Sequence, residues 1–291
     1  MRVKGSSELS WIAALSWIVG STLVFSIGAH KTIRYVFSSK TPFKEAKVEY
    51  VVQTGLYKEA LHSDCLMEIL ELSSDHPKLF SSFNEAFAEK RLRNFPVIAN
   101  AFIKKIPPNM LYIDYSLRKP LVWLGDFSNA ALDSEGVLFP ISPFFSPKKL
   151  PEVFLGSAGL EETEKPSFGS SLNGKYLNLA FLLLEFLQKK GEDLFFVKKI
   201  DVSHAFIENL GKREVVLVLE NEIYMAGQPL PVISTHYLRI SPKGYEAEIE
   251  NYLTLRNHLL EVESQEIAIL GSKIIKEKTI DLRLSQMAFI R

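Results

Sequence analysis

Hydrophobic and polar positions fall into three textures along this chain. The first is a charge-free run from Leu9 to Ala29, apolar all round except for Ser10, Ser16, Ser21, Thr22 and Ser26. At about 1.5 Å rise per residue, a helix of that length spans roughly 30 Å, the thickness of a hydrocarbon core. A cleaved signal peptide has a shorter apolar core and a small-x-small site, which Ile27-Gly28-Ala29 matches poorly. The run predicts one uncleaved transmembrane helix at 9–29, after a tail at 1–8 and before a connector at 30–41. Arg2 and Lys4 precede it, while Lys31, Arg34, Lys40 and Lys44 follow. These flanks leave the orientation open, because long domains translocate largely regardless of charge.

The second texture, residues 42–119, mixes helical and strand periods. Ala46–Gln53 reads as a strand. Cys65, Ile69 and Leu72 recur at helical spacing after Ser63 or Asp64, which suit a cap. A second amphipathic helix carries Phe83, Phe87 and Leu92 and ends at Pro96. Ala99–Ile106 reads as a strand, and Pro107-Pro108-Asn109 as a turn. In the next strand Leu111, Ile113, Tyr115 and Leu117 alternate with polar neighbours. Strand, helix, helix, strand, strand is a compact α+β unit.

The third texture, residues 120–291, consists of short strands punctuated by Gly and Pro. Candidates are Val122–Leu124, Ala130–Asp133, Val137–Phe139, Val197–Val202, Glu214–Leu219, His236–Ile240, Glu266–Leu270 and Thr279–Leu284. Ser146–Ser171 reads as a long loop. Tyr176–Leu187 is apolar nearly all round and predicts a buried helix, and Glu246–Leu260 a more polar one. The expected class is α+β, with a β-rich second domain carrying two helices.

Composition narrows the chemistry. The chain balances 34 basic against 34 acidic residues, so no basic field points to nucleic acid. Its single Cys65 forbids an intrachain disulfide and reads as a small core residue on a helix. Gly169 to Tyr176 nearly spells a phosphate-binding loop, but Tyr176 stands where a magnesium-binding Ser or Thr belongs. The six histidines show no metal-ligand spacing, and Glu161-Glu162 and Asp133/Glu135 read as solvated turn residues. No catalytic, cofactor-binding or metal-binding residue and no small-molecule substrate is expected.

Four short blocks carry a resemblance. They are Asn94-Phe95-Pro96-Val97 with Phe102 to Leu111, then Arg118-Lys119-Pro120-Leu121-Val122-Trp123-Leu124, then Leu132-Asp133-Ser134-Glu135-Gly136-Val137-Leu138-Phe139, then Ile280-Asp281-Leu282-Arg283-Leu284. In this order behind an apolar span, they resemble the FtsQ/DivIB family of bacterial cell-division proteins. Leu284 departs from the family pattern, which usually has an aromatic there. The resemblance implies a transmembrane helix, a POTRA domain at 42–119 and a mostly antiparallel β domain at 120–291. It also implies a single-pass protein of the cytoplasmic (inner) membrane, with its C-terminal domains extracytoplasmic at the division site. Its role would be a non-enzymatic divisome scaffold, linking early components to an FtsB-like and FtsL-like pair and to septal peptidoglycan synthesis.

The family's C-terminal strand receives a partner segment at its edge, which is β-augmentation in physical terms. The matching residues here are Asp281, Leu282, Arg283, Leu284, Ser285, Ala288 and Phe289. Leu282→Asp or Phe289→Asp is expected to abolish binding of an FtsB-like partner and leave the fold intact. Two other classes compete. One is a membrane-tethered envelope hydrolase or transferase, which needs Ser, His and acid groups converging in a cleft. The other is a POTRA-type transport or chaperone factor, which several tandem units or a membrane β-barrel would favour; the sequence offers one unit and no barrel-length strand series.

Overall fold

The computed structural model describes residues 46–55, 61–73, 75, 77–162, 166–191, 193–225, 229–270, 277–284 and 287–291, with Trp17, Thr22, Ser26 and Lys31. The chain divides into two compact units. Of the described residues, one unit takes those at 46–54, 63–90 and 102–114; the other takes those at 55–62, 91–101 and 115–291.

The first elements are β1 (Tyr50–Gly55), α1 (Ser63–Ile69), α2 (Glu85–Arg93), β2 (Ile98–Ile106) and β3 (Met110–Leu117), and their strands form a sheet of order β1-β3-β2. In β3 the alternation predicted from sequence is realised, with Leu111, Ile113, Tyr115 and Leu117 all buried. Helix α2 starts at a cap, where Asn84 Oδ1 accepts from the Phe87 amide at 3.0 Å. One turn apart on α2, Glu85 and Glu89 accept from the Lys105 and Ile103 amides at 2.6 and 3.0 Å. Those amides belong to the edge strand β2, so two helix carboxylates occupy donors that would otherwise invite another strand.

The second sheet has nine strands. In chain order they are β4 (Val122–Leu124), β5 (Ala130–Leu132), β6 (Leu138–Pro140), β7 (Glu152–Phe154), β8 (Phe196–Asp201), β9 (Val215–Ile223), β10 (Val232–Ile240), β11 (Lys278–Asp281) and β12 (Phe289–Ile290). In space they run β12-β11-β10-β9-β8-β7-β4-β5-β6. Helices α3 (Gly156–Glu161), α4 (Lys175–Gly191) and α5 (Tyr245–Leu270) join them, α4 packing on β8 and α5 on β10. Leu183 and Leu187 of α4, Ile249 and Tyr252 of α5, and Leu217 and Leu238 of the sheet share one hydrophobic core.

Several expectations are corrected. Among the described residues no helix is long and apolar enough to cross a membrane, so the expected transmembrane helix is not one of the elements described. The segment named for it, 9–29, lies outside the described residues apart from Trp17, Thr22 and Ser26. The observed class is α+β with a large, mostly-sheet part. The large sheet is mostly antiparallel, as expected, but carries three parallel pairings, β10–β11, β4–β7 and β7–β8. Strand β7 and helix α3 lie inside the stretch read as a loop. Three residues are too few to show a period, and a strand parallel to both neighbours has no hairpin turn to announce it. Glu266–Leu270 is the end of α5, not a strand, so the polar helix runs ten residues further than read.

Two acidic turn residues also have structural work. Asp133 is buried and accepts from Arg118 at 2.8 Å and from the Glu135 and Val137 amides, both at 2.9 Å. Glu162 accepts from the Lys175 amide at 3.0 Å, at the first residue of α4. A carboxylate therefore already sits at the helix N-terminus where a nucleotide's phosphate would have to bind.

Candidate functional site

The C-terminal strands bring most of the predicted partner-binding residues together at one end of the large sheet. Strand β11 runs parallel to β10, with Ile280 opposite Leu238 and Asp281 opposite Arg239, and the Leu282 amide extends the pairing by donating to the Arg239 carbonyl at 2.9 Å. Alternation sends Ile280 and Leu282 into the core, where Leu282 is only 3% exposed. Leu282→Asp would therefore bury a charge and disrupt the fold, contrary to the expectation of a clean binding defect. Asp281 and Arg283 lie on the other side.

There Asp281 and Arg283 form a two-pronged pair, with Nε to Oδ1 at 2.9 Å and the second nitrogen to Oδ2 at 2.7 Å. Arg239 approaches Asp281 at 3.3 Å, and Glu214 accepts from Arg239 at 2.7 Å and pairs with Arg283 at 3.3 Å. The bonds from Arg283 hold the Asp281 carboxyl below its ordinary range despite partial burial. Two acids and two arginines neutralise one another in a charged patch.

Beside this patch lies a cleft of about 480 Å³ lined by Leu210, Gly211, Arg213, Ser241, Pro242, Lys243, Asp281, Arg283, Leu284 and Phe289. Leu210, Leu284 and Phe289 are exposed in it. The ion pairs of the patch use Arg239 and Arg283 but not Arg213 or Lys243. The cleft therefore combines apolar side chains with surplus positive charge.

The last residues cover the free side of β11. Strand β12 pairs antiparallel with it, Ile290 opposite Ile280 and Phe289 opposite Asp281. Thr279 and Arg291 exchange backbone bonds of 3.0 and 2.9 Å. Met287, Ala288, Phe289, Ile290 and Arg291 are all exposed. Ser285 lies outside the described residues.

A second polar cluster lies between α5 and the sheet, and sequence reading missed it. His236 bonds Tyr252 Oη through Nδ1 at 2.8 Å and Glu263 through Nε2 at 2.9 Å. Ser234 donates to the other Glu263 oxygen at 2.6 Å, and Lys278 of β11 pairs with Glu263 at 3.2 Å. Asn221 donates to Tyr252 Oη at 3.3 Å and accepts from Arg256 at 2.7 Å. Burial raises the Tyr252 hydroxyl to about 12. Burial also pushes Glu263 up, but the bonds from His236 and Ser234 and the Lys278 ammonium outweigh it, leaving the carboxyl below its ordinary value. The available signal was the helix stripe Ile249, Tyr252, Arg256, Leu259, Glu263, Ile267, whose spacing puts Arg256 and Glu263 on the buried face.

Ser234, His236 and Glu263 are the residue types of a hydrolytic triad, but their arrangement does not match one. Ser234 donates to the carboxylate rather than to His236, and all three side chains are buried, with no face open to a substrate. Among the described residues, no three His, Cys, Asp or Glu side chains converge as a metal site. No protein-family model and no curated protein matches the chain.

Proposed function

We propose that this chain is a non-enzymatic scaffold of the bacterial divisome, whose C-terminal sheet edge receives an extended segment of a partner protein. The single observation that carries this reading is the edge at β11 and β12, flanked by a cleft with exposed Leu210, Leu284 and Phe289 and the cations Lys243 and Arg213, the latter bonded to the Ile207 carbonyl but in none of the patch's ion pairs. Backbone groups at a sheet edge supply affinity, and adjoining pockets select side chains. The segment that suits this edge is extended, with a large apolar residue next to an acidic one.

The resemblance to FtsQ/DivIB proteins supplies the biological setting. The partner is an FtsB-like protein with its FtsL-like companion, and the folded units work on the extracytoplasmic side of the cytoplasmic membrane at the division site. Capture of an FtsB-like partner by the full chain tests the reading. Leu284→Asp and the charge reversal Lys243→Glu are expected to lose capture at unchanged unfolding midpoint. Undiminished capture by both variants would overturn the assignment of the edge.

A further inference from the structure

The two ends of the nine-stranded sheet are closed in different ways. At the β6 end, Leu138 donates to the Ser170 carbonyl at 2.9 Å and accepts from the Gly169 amide at 2.7 Å, while the Leu172 amide bonds the Gly136 carbonyl at 2.9 Å. That cover is anchored by Leu172, which is buried in the large core. At the other end, β12 is two residues long, and no side chain from Met287 to Arg291 is buried. Each backbone bond adds only about 1 kcal/mol net, and ordering five residues opposes it. The C-terminal cover is therefore held by ladder bonds almost alone.

Resting on the docking reading above, we infer that Met287–Arg291 is an exchangeable resident strand. The partner segment replaces it on β11 rather than adding outside β12. The tail then gives the register of the partner. That segment runs antiparallel to β11 and puts a large apolar side chain opposite Asp281, where Phe289 now lines the cleft. A β-branched or similar apolar residue follows it opposite Ile280, in the place of Ile290. Tethered to its own edge, the tail competes at an effective concentration on the order of millimolar. It thereby sets a threshold that a partner must exceed.

The probe is the synthetic peptide SQMAFIR, the sequence of residues 285–291, added to the intact chain, to a chain ending at Leu284 and to full-length Phe289→Asp. Readouts are peptide anisotropy and hydrogen exchange at the Thr279 amide. The chain ending at Leu284 is expected to exchange quickly at Thr279 and to regain protection with peptide. It should bind the peptide about tenfold more tightly than the intact chain, as expected for removal of a tethered competitor. Phe289→Asp should fall between the two. Equal binding by the intact and shortened chains would overturn the exchange and leave strand addition outside β12 standing. Peptide binding to neither, with Thr279 exchanging quickly in the shortened chain, would overturn both the exchange and the reading of this edge as a docking site.

Discussion

The β6 and β12 ends of the large sheet meet the same problem, a row of unpaired backbone groups, and differ in what holds the cover down. At β6 the covering segment is fastened by Leu172 in the core and by bonds from the Leu172 amide and the Ser171 hydroxyl to the Gly136 and Glu135 carbonyls. At β12 the covering segment leaves Met287, Phe289 and Ile290 only half covered, with none of them buried. In the small sheet, Glu85 and Glu89 protect β2 by a third route. Backbone pairing alone does not distinguish a permanent edge from an available one. Side-chain burial does, because apolar transfer contributes about 1.5–3 kcal/mol per large side chain and a ladder bond much less.

The largest expected effect comes from behind β11. Glu263→Ala leaves His236, Ser234 and Lys278 without their shared acceptor and is expected to cost about 3–5 kcal/mol in urea unfolding. Wild-type stability would show that the network does not pin β11 through Lys278. Because the folded state holds this carboxyl below its ordinary value of about 4.3, its contribution is complete above that pH. It is lost as pH falls through the lower folded value. The stability difference between wild type and Glu263→Gln should therefore shrink only below about pH 4.3; a constant difference down to pH 2 would contradict the assignment.

Next in size is a direct test of the two edges. Leu172→Ala is expected to cost about 2–5 kcal/mol, and Phe289→Ala no more than about 0.5 kcal/mol, by the same unfolding assay. Equal costs would erase the distinction between them. Gly136 has φ +73°, and an added Cβ would come within 2.7 Å of the Leu172 carbonyl oxygen. Gly136→Ala should therefore lower the unfolding midpoint, by about 1–3 kcal/mol of strain. The smallest effect is expected at the exposed Lys190–Glu250 pair, 2.7 Å apart, where Lys190→Ala should change stability by about 0–1 kcal/mol.

What could be read in advance followed the length and regularity of each pattern. The eight residues of β3 and the apolar face of α4 announce themselves because a period repeats over several turns or pleats. Helix α5 was legible only in its first part. Ile267 and Ile269 mimic strand alternation, whereas the structure buries Ile267 and leaves Ile269 81% exposed, as a helix stripe requires. At the edge, the sequence pointed to Asp281–Leu284 and to Ala288 and Phe289. It did not separate Leu282, which the core claims, from Leu284, which the cleft exposes.

By itself, then, the sequence determined the longer periodic elements such as β3 and α4, since each depends on neighbours a few residues apart, and its single cysteine excluded an intrachain disulfide. Only the tertiary structure decided that β7 joins β4 to β8 and that Arg256 bonds Asn221 while Glu263 bonds His236, all in buried positions. It alone decided that the chain's own tail lies on the edge where a partner is expected. Those outcomes depend on pairing and burial between residues far apart in the chain, such as Trp123 with Glu152 or His236 with Glu263. No local period records which distant groups will share a face or which will be left in water.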